Sequence, residues 1–291
     1  MDQPVASVIL PCKNEGQNVI NTIRSMLAAR ERLPYEIIVI DDGSTDDCCQ
    51  PLRPQPPAGV KLVTTAGLGA AQARNLGAYH AQGEYLVFCD AHLFVGNYWL
   101  ENLLNPLFKR RFHGICPGIA PVQNAAQAGW GQKIKPNFGV LWLPRPNEVR
   151  EVPILPGGCL AVTREAFEHV GGFDQGFHIW GHEDVELSIH LWLYGHPLAV
   201  HPDVRVLHVF RPRHPYLVTI DDYYYNILRS AYSHFSPERI RRIEKIAQQS
   251  VNYAKLMDEL MARGVMEQRA RYFSERLYDD DWFFRKFGME F

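Results

Sequence analysis

Three short apolar runs, each ending abruptly in a polar cluster, constrain this chain more than any other feature. Val5 to Leu10 breaks at Pro11 into Cys-Lys-Asn-Glu15; Glu36-Ile-Ile-Val-Ile40 ends in Asp41-Asp42-Gly-Ser-Thr-Asp46; Tyr85 to Cys89 ends in Asp90-Ala-His92. Such runs are too short for helices and read as strands buried on both faces of a parallel sheet. Between the first two, Val19, Ile23, Met26 and Leu27 recur on one face of a helix from about Asn18 to Arg30, giving a strand–helix–strand unit. Ligands of doubly wound α/β sheets bind outside the carboxyl ends of the strands, so Pro11 to Glu15, Asp41 to Asp46 and Asp90 to His92 are expected to meet in one crevice. Asp90 and His92 lie two apart. In an extended segment they face the same side and offer one hard oxygen and one borderline nitrogen to a divalent cation.

Composition narrows the partners. With 291 residues, 46% hydrophobic and 21% charged, the chain is long enough for one large core or a core with an appendage. A formal net charge of -2 gives no general attraction to nucleic acid or an anionic membrane, so an anionic ligand needs a local cluster. There is no signal-like amino terminus and no apolar run of membrane-spanning length, which makes the cytoplasm the expected compartment. The six cysteines, Cys12, Cys48, Cys49, Cys89, Cys116 and Cys159, form no Cys-x-x-Cys pair and read as reduced thiols filling the core.

Further along, Pro51 to Gly59 is a proline-rich loop and Val60 to Thr64 a third strand. Gly67-Leu-Gly69 opens a helix that carries Arg74, whose guanidinium is expected to be free to reach a phosphate or base edge. Tyr98 to Phe108 reads as helix and Gly114 to Cys116 as a short strand. Residues 117 to 153 show little periodicity, with Trp130, Phe138 and Trp142 interleaved, and are expected to be a long irregular functional loop. Pro156-Gly-Gly158 precedes a strand to Val162, and Thr163 caps a short helix. From Glu183 the apolar positions fit either alternation or a helical face; acidic residues at the start and Gly195 at the exit favour a helix. Val204 to Leu207 is the last expected strand, before His208-Val-Phe-Arg211-Pro-Arg-His214-Pro-Tyr216. From Tyr223 the chain is mainly helical.

Together these motifs resemble a sugar-nucleotide-dependent glycosyltransferase of the GT-A fold. Features general to family 2 are Val8-Ile-Leu-Pro-Cys-Lys-Asn-Glu15, Val39-Ile-Asp-Asp42-Gly-Ser-Thr-Asp46 and Ala73-Arg-Asn-Leu-Gly77. Asp90-Ala-His92, Gly157-Gly-Cys-Leu-Ala-Val162, Trp180-Gly-His-Glu183 and above all the run from His208 to Tyr216 are similar to the catalytic domain of polypeptide N-acetylgalactosaminyltransferases. The resemblance covers residues 5 to about 235. It implies an α/β fold with a Rossmann-like mixed central sheet flanked by helices, a catalytic domain over 1–220 and a helical C-terminal extension over 221–291.

By the same resemblance, Asp90, His92 and His208 would bind Mn²⁺, or Mg²⁺, beside the diphosphate of a UDP-sugar donor. Pro11 and Glu15 would line the nucleotide side, Asp42 would contact uracil, and Arg74 the uridine and diphosphate. Glu183 would hold sugar hydroxyls and Trp180 cover the diphosphate, with Arg211, His214 and Tyr216 steadying it from a mobile loop. The implied reaction transfers N-acetylgalactosamine or a related hexose, with retention, to a hydroxyl of a peptide or protein. The chain is expected to differ from the animal enzymes in lacking an anchor and stem and a lectin domain, and in its tail from about residue 236. Asp184 directly after Glu183 is the acidic pair typical of inverting family 2 enzymes, where the aspartate is the base. That leaves an inverting transferase with a saccharide or small-molecule acceptor as a rival, and a non-catalytic sugar-nucleotide-binding module as another.

Overall fold

A computed structural model describes residues 3–290. The apolar runs form strands β1 (Ala6–Cys12), β2 (Tyr35–Asp42), β3 (Val60–Thr65) and β4 (Tyr85–Cys89), with helices α1 (Asn18–Ala28) and α2 (Ala70–His80) between them. β1 lies between β2 and β4, and β3 flanks β2, all in parallel. Side chains of successive strand residues face opposite ways, and the core divides accordingly. Val8, Leu10 and Val87 pack with α1 and with α3 (Trp99–Phe108); Ile9, Leu86 and Phe88 pack on the other face with α2. One position of the expected α1 face is corrected: Leu27 is exposed, and Ile20 takes the buried place.

Beyond β4 the sheet becomes mixed. After β5 (Leu93–Phe94) and β6 (Gly114–Pro121), β10 (Cys159–Thr163) inserts antiparallel between β4 and β6, and β11 (Leu198–His208) runs parallel to β6. Both β6 and β11 are longer than their sequence patterns indicate. β11 absorbs a register shift between Val200 and Arg205, the segment that contains Pro202. A residue with no N–H donor is accommodated at such an irregularity rather than in an unbroken ladder. The expected irregular loop is also corrected: β7 (Gln132–Ile134) and β8 (Val140–Trp142) form a hairpin, and β9 (Arg150–Glu151) pairs with β11. Strands of two or three residues carry too little alternation to be read as a period.

Thr163 caps α4 (Arg164–His169) through its hydroxyl, and α5 (Glu183–Leu193) is helical as its ends indicate. The tail comprises α6 (Ile220–His234), α7 (Pro237–Ala247), α8 (Tyr253–Ala262), α9 (Val265–Glu275) and α10 (Asp280–Lys286). A capping box between Thr219 and Asp222 fixes the start of α6. Leu187 and Leu191 of α5 share one apolar core with Tyr225, Leu228, Phe235, Leu260 and Phe283 of the tail.

The helix carrying Arg74 is seated through a glycine: a Cβ on Gly77 would run into Ile9 Cγ2 of β1. Gly77→Ala is therefore expected to destabilise the fold by about 1–3 kcal/mol despite the better helix propensity of alanine. Urea denaturation of the variant checks this; an unchanged or raised midpoint would count against such close seating.

Candidate active site

The ends of β4 and β11 and the start of β5 bring together two imidazoles and a carboxylate. His208 Nε2 lies 3.1 Å from Asp90 Oδ2, and His92 Nε2 lies 3.8 Å from the same oxygen. One donor atom from each residue falls within 4.8 Å of the others. Partial burial alone would push the Asp90 carboxyl up, but the bond from His208 and the charges of His92, His208 and Arg74 hold it well below the usual range. A Cβ on Gly158 would sit 3.4 Å from His208 Cδ2 and 3.6 Å from Asp90 Oδ2, so glycine there leaves the space beside the donors open. One oxygen and two imidazole nitrogens converging on a cleft fit a divalent cation.

His92 shows how its tautomer would be set. Its Nδ1 is 3.2 Å from Glu15 Oε2 and 2.8 Å from Arg211 Nη2. Arginine only donates, so with that bond Nδ1 must accept and the proton sits on Nε2. For Nε2 to ligate a cation the proton must move to Nδ1, where Glu15 accepts it. Arg211 keeps its 2.7 Å bond to Glu15 in either case.

Arg74 corrects its sequence reading. It is only 3% exposed, and its Nη1 lies 2.8 Å from Glu183 Oε1 while its Nη2 lies 3.3 Å from Asp90 Oδ1. A buried guanidinium without carboxylates would be prohibitively costly, so the side chain turns inward and ties α2 to β4 and α5. Glu183 Oε2 accepts the Gly181 N–H at 2.8 Å. The neighbouring Asp184 accepts the Gly157 N–H at 2.6 Å and the Val185 N–H at 2.9 Å. Burial and the Glu183 charge nevertheless raise its carboxyl to about 6.

Asp42 is buried under the turn before α2, where it accepts bonds from the Thr65 hydroxyl and the N–H groups of Leu68 and Gly69 at 2.6, 2.6 and 2.9 Å. A uracil contact would have to share a carboxylate already accepting three bonds. Pro11, Glu15 and Asp42 line the same cleft of ≈ 470 Å³ as Asp90, Glu183 and Asp184. Segment 209–219 lies over it without regular structure. The segment is fastened at several points: Arg211 to Glu15, the Pro215 carbonyl to Asn14 at 3.2 Å, and His214 against the Trp180 ring at 4.2 Å between centroids. Tyr216 lies beneath Lys13 at 5.8 Å.

Several lining residues had no legible signal. His182 adopts a left-handed conformation, stacks on Phe138 at 5.0 Å, and is held neutral by burial, which lowers its imidazole to about 4. Only its place between Gly181 and Glu183 could have drawn attention to it. Gln132, Val140 and Tyr223 reach the cleft from the hairpin and α6, elements that carry no chemistry-bearing motif, and Trp142 joins them from the segment expected to be a functional loop.

Residues 7–171, more than half of the chain, match the family described as glycosyl transferase family 2. The chain belongs to that family. Residues 144–215 match a second description, the N-terminal domain of galactosyltransferase. Among relatives of this family 2 member, polypeptide N-acetylgalactosaminyltransferase 11 of Xenopus tropicalis is 33% identical over 245 residues, covering 74% of this chain and 40% of the relative. Human polypeptide N-acetylgalactosaminyltransferase 14 is 32% identical over 236 residues, covering 74% and 42%. The chain thus spans about two fifths of the length of these relatives. The solved structure of GalNAc-T7 with UDP, GalNAc and Mn²⁺ superposes with a TM-score of 0.79 at 22% identity, over 99% of this chain and 57% of that one. The fold is therefore GT-A, with the mixed sheet and helical C-terminal part described above.

The Arg74 network yields a stability test. Arg74→Met strands two carboxylates and is expected to lower the unfolding free energy by about 3–5 kcal/mol. Adding Glu183→Gln should recover part of the loss. Strict additivity of the two changes in urea denaturation would show that the residues are not coupled.

Proposed function

We propose that this family 2 protein is a UDP-sugar-dependent glycosyltransferase that moves N-acetylgalactosamine or a related hexose to a hydroxyl of a peptide or protein, with retention at the anomeric carbon. The convergence of Asp90, His92 and His208 beside Glu183, beneath the segment carrying Arg211, His214 and Tyr216, is the observation that carries this reading. The related polypeptide N-acetylgalactosaminyltransferases support the donor and acceptor classes. A divalent cation held by Asp90, His92 and His208, Mn²⁺ as in the GalNAc-T7 complex, would supply positive charge beside the departing diphosphate.

The chain's own groups account for the rest. Glu183, held by Arg74 and the Gly181 N–H, presents a fixed carboxylate to sugar hydroxyls. Trp180 and the segment around His214 cover the donor and keep water from it, which protects the sugar from hydrolysis. Arg211, His214 and Tyr216 place donor groups where negative charge grows on the leaving diphosphate. In a retaining transfer the acceptor attacks from the face that the diphosphate leaves, and the diphosphate itself takes the acceptor proton. Asp184 is then a positioning residue, fixing the Gly157 turn against the first turn of α5.

Its carboxyl raised to about 6 favours a second reading, an inverting transferase in which Asp184 is the base for a saccharide or small-molecule acceptor. Proton NMR of the fresh product from an α-linked donor separates the two. Retention gives an α product, and Asp184→Asn costs about ten-fold or less; a β product, an Asn variant weaker by about 10²-fold or more, and a fall in wild-type activity below pH 6 that the Asn variant does not share would move the protein to the inverting class.

Chelation by EDTA is expected to abolish UDP release from a UDP-sugar panel, with recovery on adding Mn²⁺. Asp90→Ala and His208→Ala should be inactive yet folded, as judged by circular dichroism. Full turnover in EDTA would overturn the reading.

A further inference from the structure

A second cluster of side chains able to hold a metal ion lies beside the cleft, where the loops after β1 and β2 are laced together. The Sγ atoms of Cys12, Cys48 and Cys49 form a triangle with sides of 3.6, 3.5 and 3.9 Å. All three residues are buried, at 2%, 5% and 1% exposure, and none forms a disulfide. Two core cysteines, Cys89 and Cys159, also meet, at 3.6 Å, but among the described residues only Cys12, Cys48 and Cys49 bring three sulfurs together. Three sulfurs at corners of a tetrahedron around a zinc ion, with Zn–S of about 2.3 Å, stand about 3.8 Å apart. The observed triangle approaches that spacing with no rearrangement of the backbone.

The surroundings extend the fit. The Ser44 hydroxyl lies 3.4 Å from Cys48 Sγ and is placed to fill or steer the fourth position. Cys12 also lines the cleft.

We propose that Cys12, Cys48 and Cys49 form a site for a thiophilic divalent cation, Zn²⁺ by its charge and preferred geometry, separate from the Asp90–His92–His208 group. Soft thiolate donors select such an ion against Mn²⁺, which prefers oxygen ligands. Binding releases thiol protons and joins β1 to the loop after β2. That loop already holds the segment bearing Glu15: the Ser44 hydroxyl accepts the Asn14 N–H at 3.1 Å, Asn14 Oδ1 accepts the Thr45 N–H at 2.8 Å, and Asp46 accepts the Gly16 N–H at 2.8 Å. The ion would brace the nucleotide-side loops without touching the donor.

The test uses the reduced full chain with Mn²⁺ saturating the other site, titrated with Co²⁺ as a spectroscopic probe. A sulfur-to-cobalt charge-transfer band is expected to rise to one equivalent, to vanish on adding Zn²⁺, and to be lost in Cys49→Ala and Cys12→Ser. Histidine and carboxylate ligands give no such band, so a cobalt ion displacing Mn²⁺ cannot imitate it. A second measurement does not depend on the variants folding: pulse alkylation with peptide mapping should show Zn²⁺ protecting Cys12, Cys48 and Cys49 while leaving Cys89, Cys116 and Cys159 unchanged. No band, a band that survives both substitutions, or protection confined to the Cys89–Cys159 pair would overturn the site. Since no readout is turnover, failure of the proposed sugar transfer would leave these outcomes unaffected.

Discussion

A single buried guanidinium links the parts of the cleft. Arg74 stands on a helix between two strands of the parallel half of the sheet, yet its charge is neutralised by Glu183 from the antiparallel half and by Asp90 at the end of the central strand. Neither carboxylate would be held in place, and the arginine could not be buried, without the other two groups. Asp90 faces the metal-type donors and Glu183 the expected sugar, so the same side chain positions both. The separation of α2 from β1, set by Gly77 against Ile9, thereby governs the geometry of groups far from it in sequence.

The parallel half of the fold was legible because its strands are long apolar runs with abrupt polar ends, a pattern that a sheet covered on both faces imposes directly. Asp90 and His92 were legible because a strand end delivers side chains to a predictable edge, whereas His208 was joined to them only by the resemblance of the run that it opens. Arg74 was legible as a site residue but not in its role: its partners are 16 and 109 residues away along the chain, and spacing does not reveal an ion pair across such distances. The hairpin of β7 and β8 escaped because three-residue strands have no measurable period. His182 escaped because a left-handed histidine owes its conformation to the surrounding packing, not to its residue type.

The cover over the cleft is held by a different kind of bonding from its floor. The floor rests on buried ion pairs and on the apolar cores that cover the two faces of the sheet. The cover rests on a few polar and aromatic contacts at its rim, chiefly Arg211 with Glu15 and His214 with Trp180. Contacts of that kind are local, and none of them belongs to the hydrogen-bond ladder of the sheet. Arg211 also touches His92, which makes cover position and imidazole tautomer parts of one arrangement.

His208 ends a strand of eleven residues whose register slips once, between Val200 and Arg205. After that slip the side chains alternate strictly to the end, with Val204, Val206 and His208 buried and Arg205 turned out. The imidazole therefore reaches the site by parity. Gaining or losing one residue between Val204 and Leu207 would send His208 to the opposite face of the sheet, whereas gaining or losing two would restore its side but shift it along the strand by about 7 Å. The irregular step around Pro202 can absorb a change of length, whereas the four residues before His208 act as a counting device for the site.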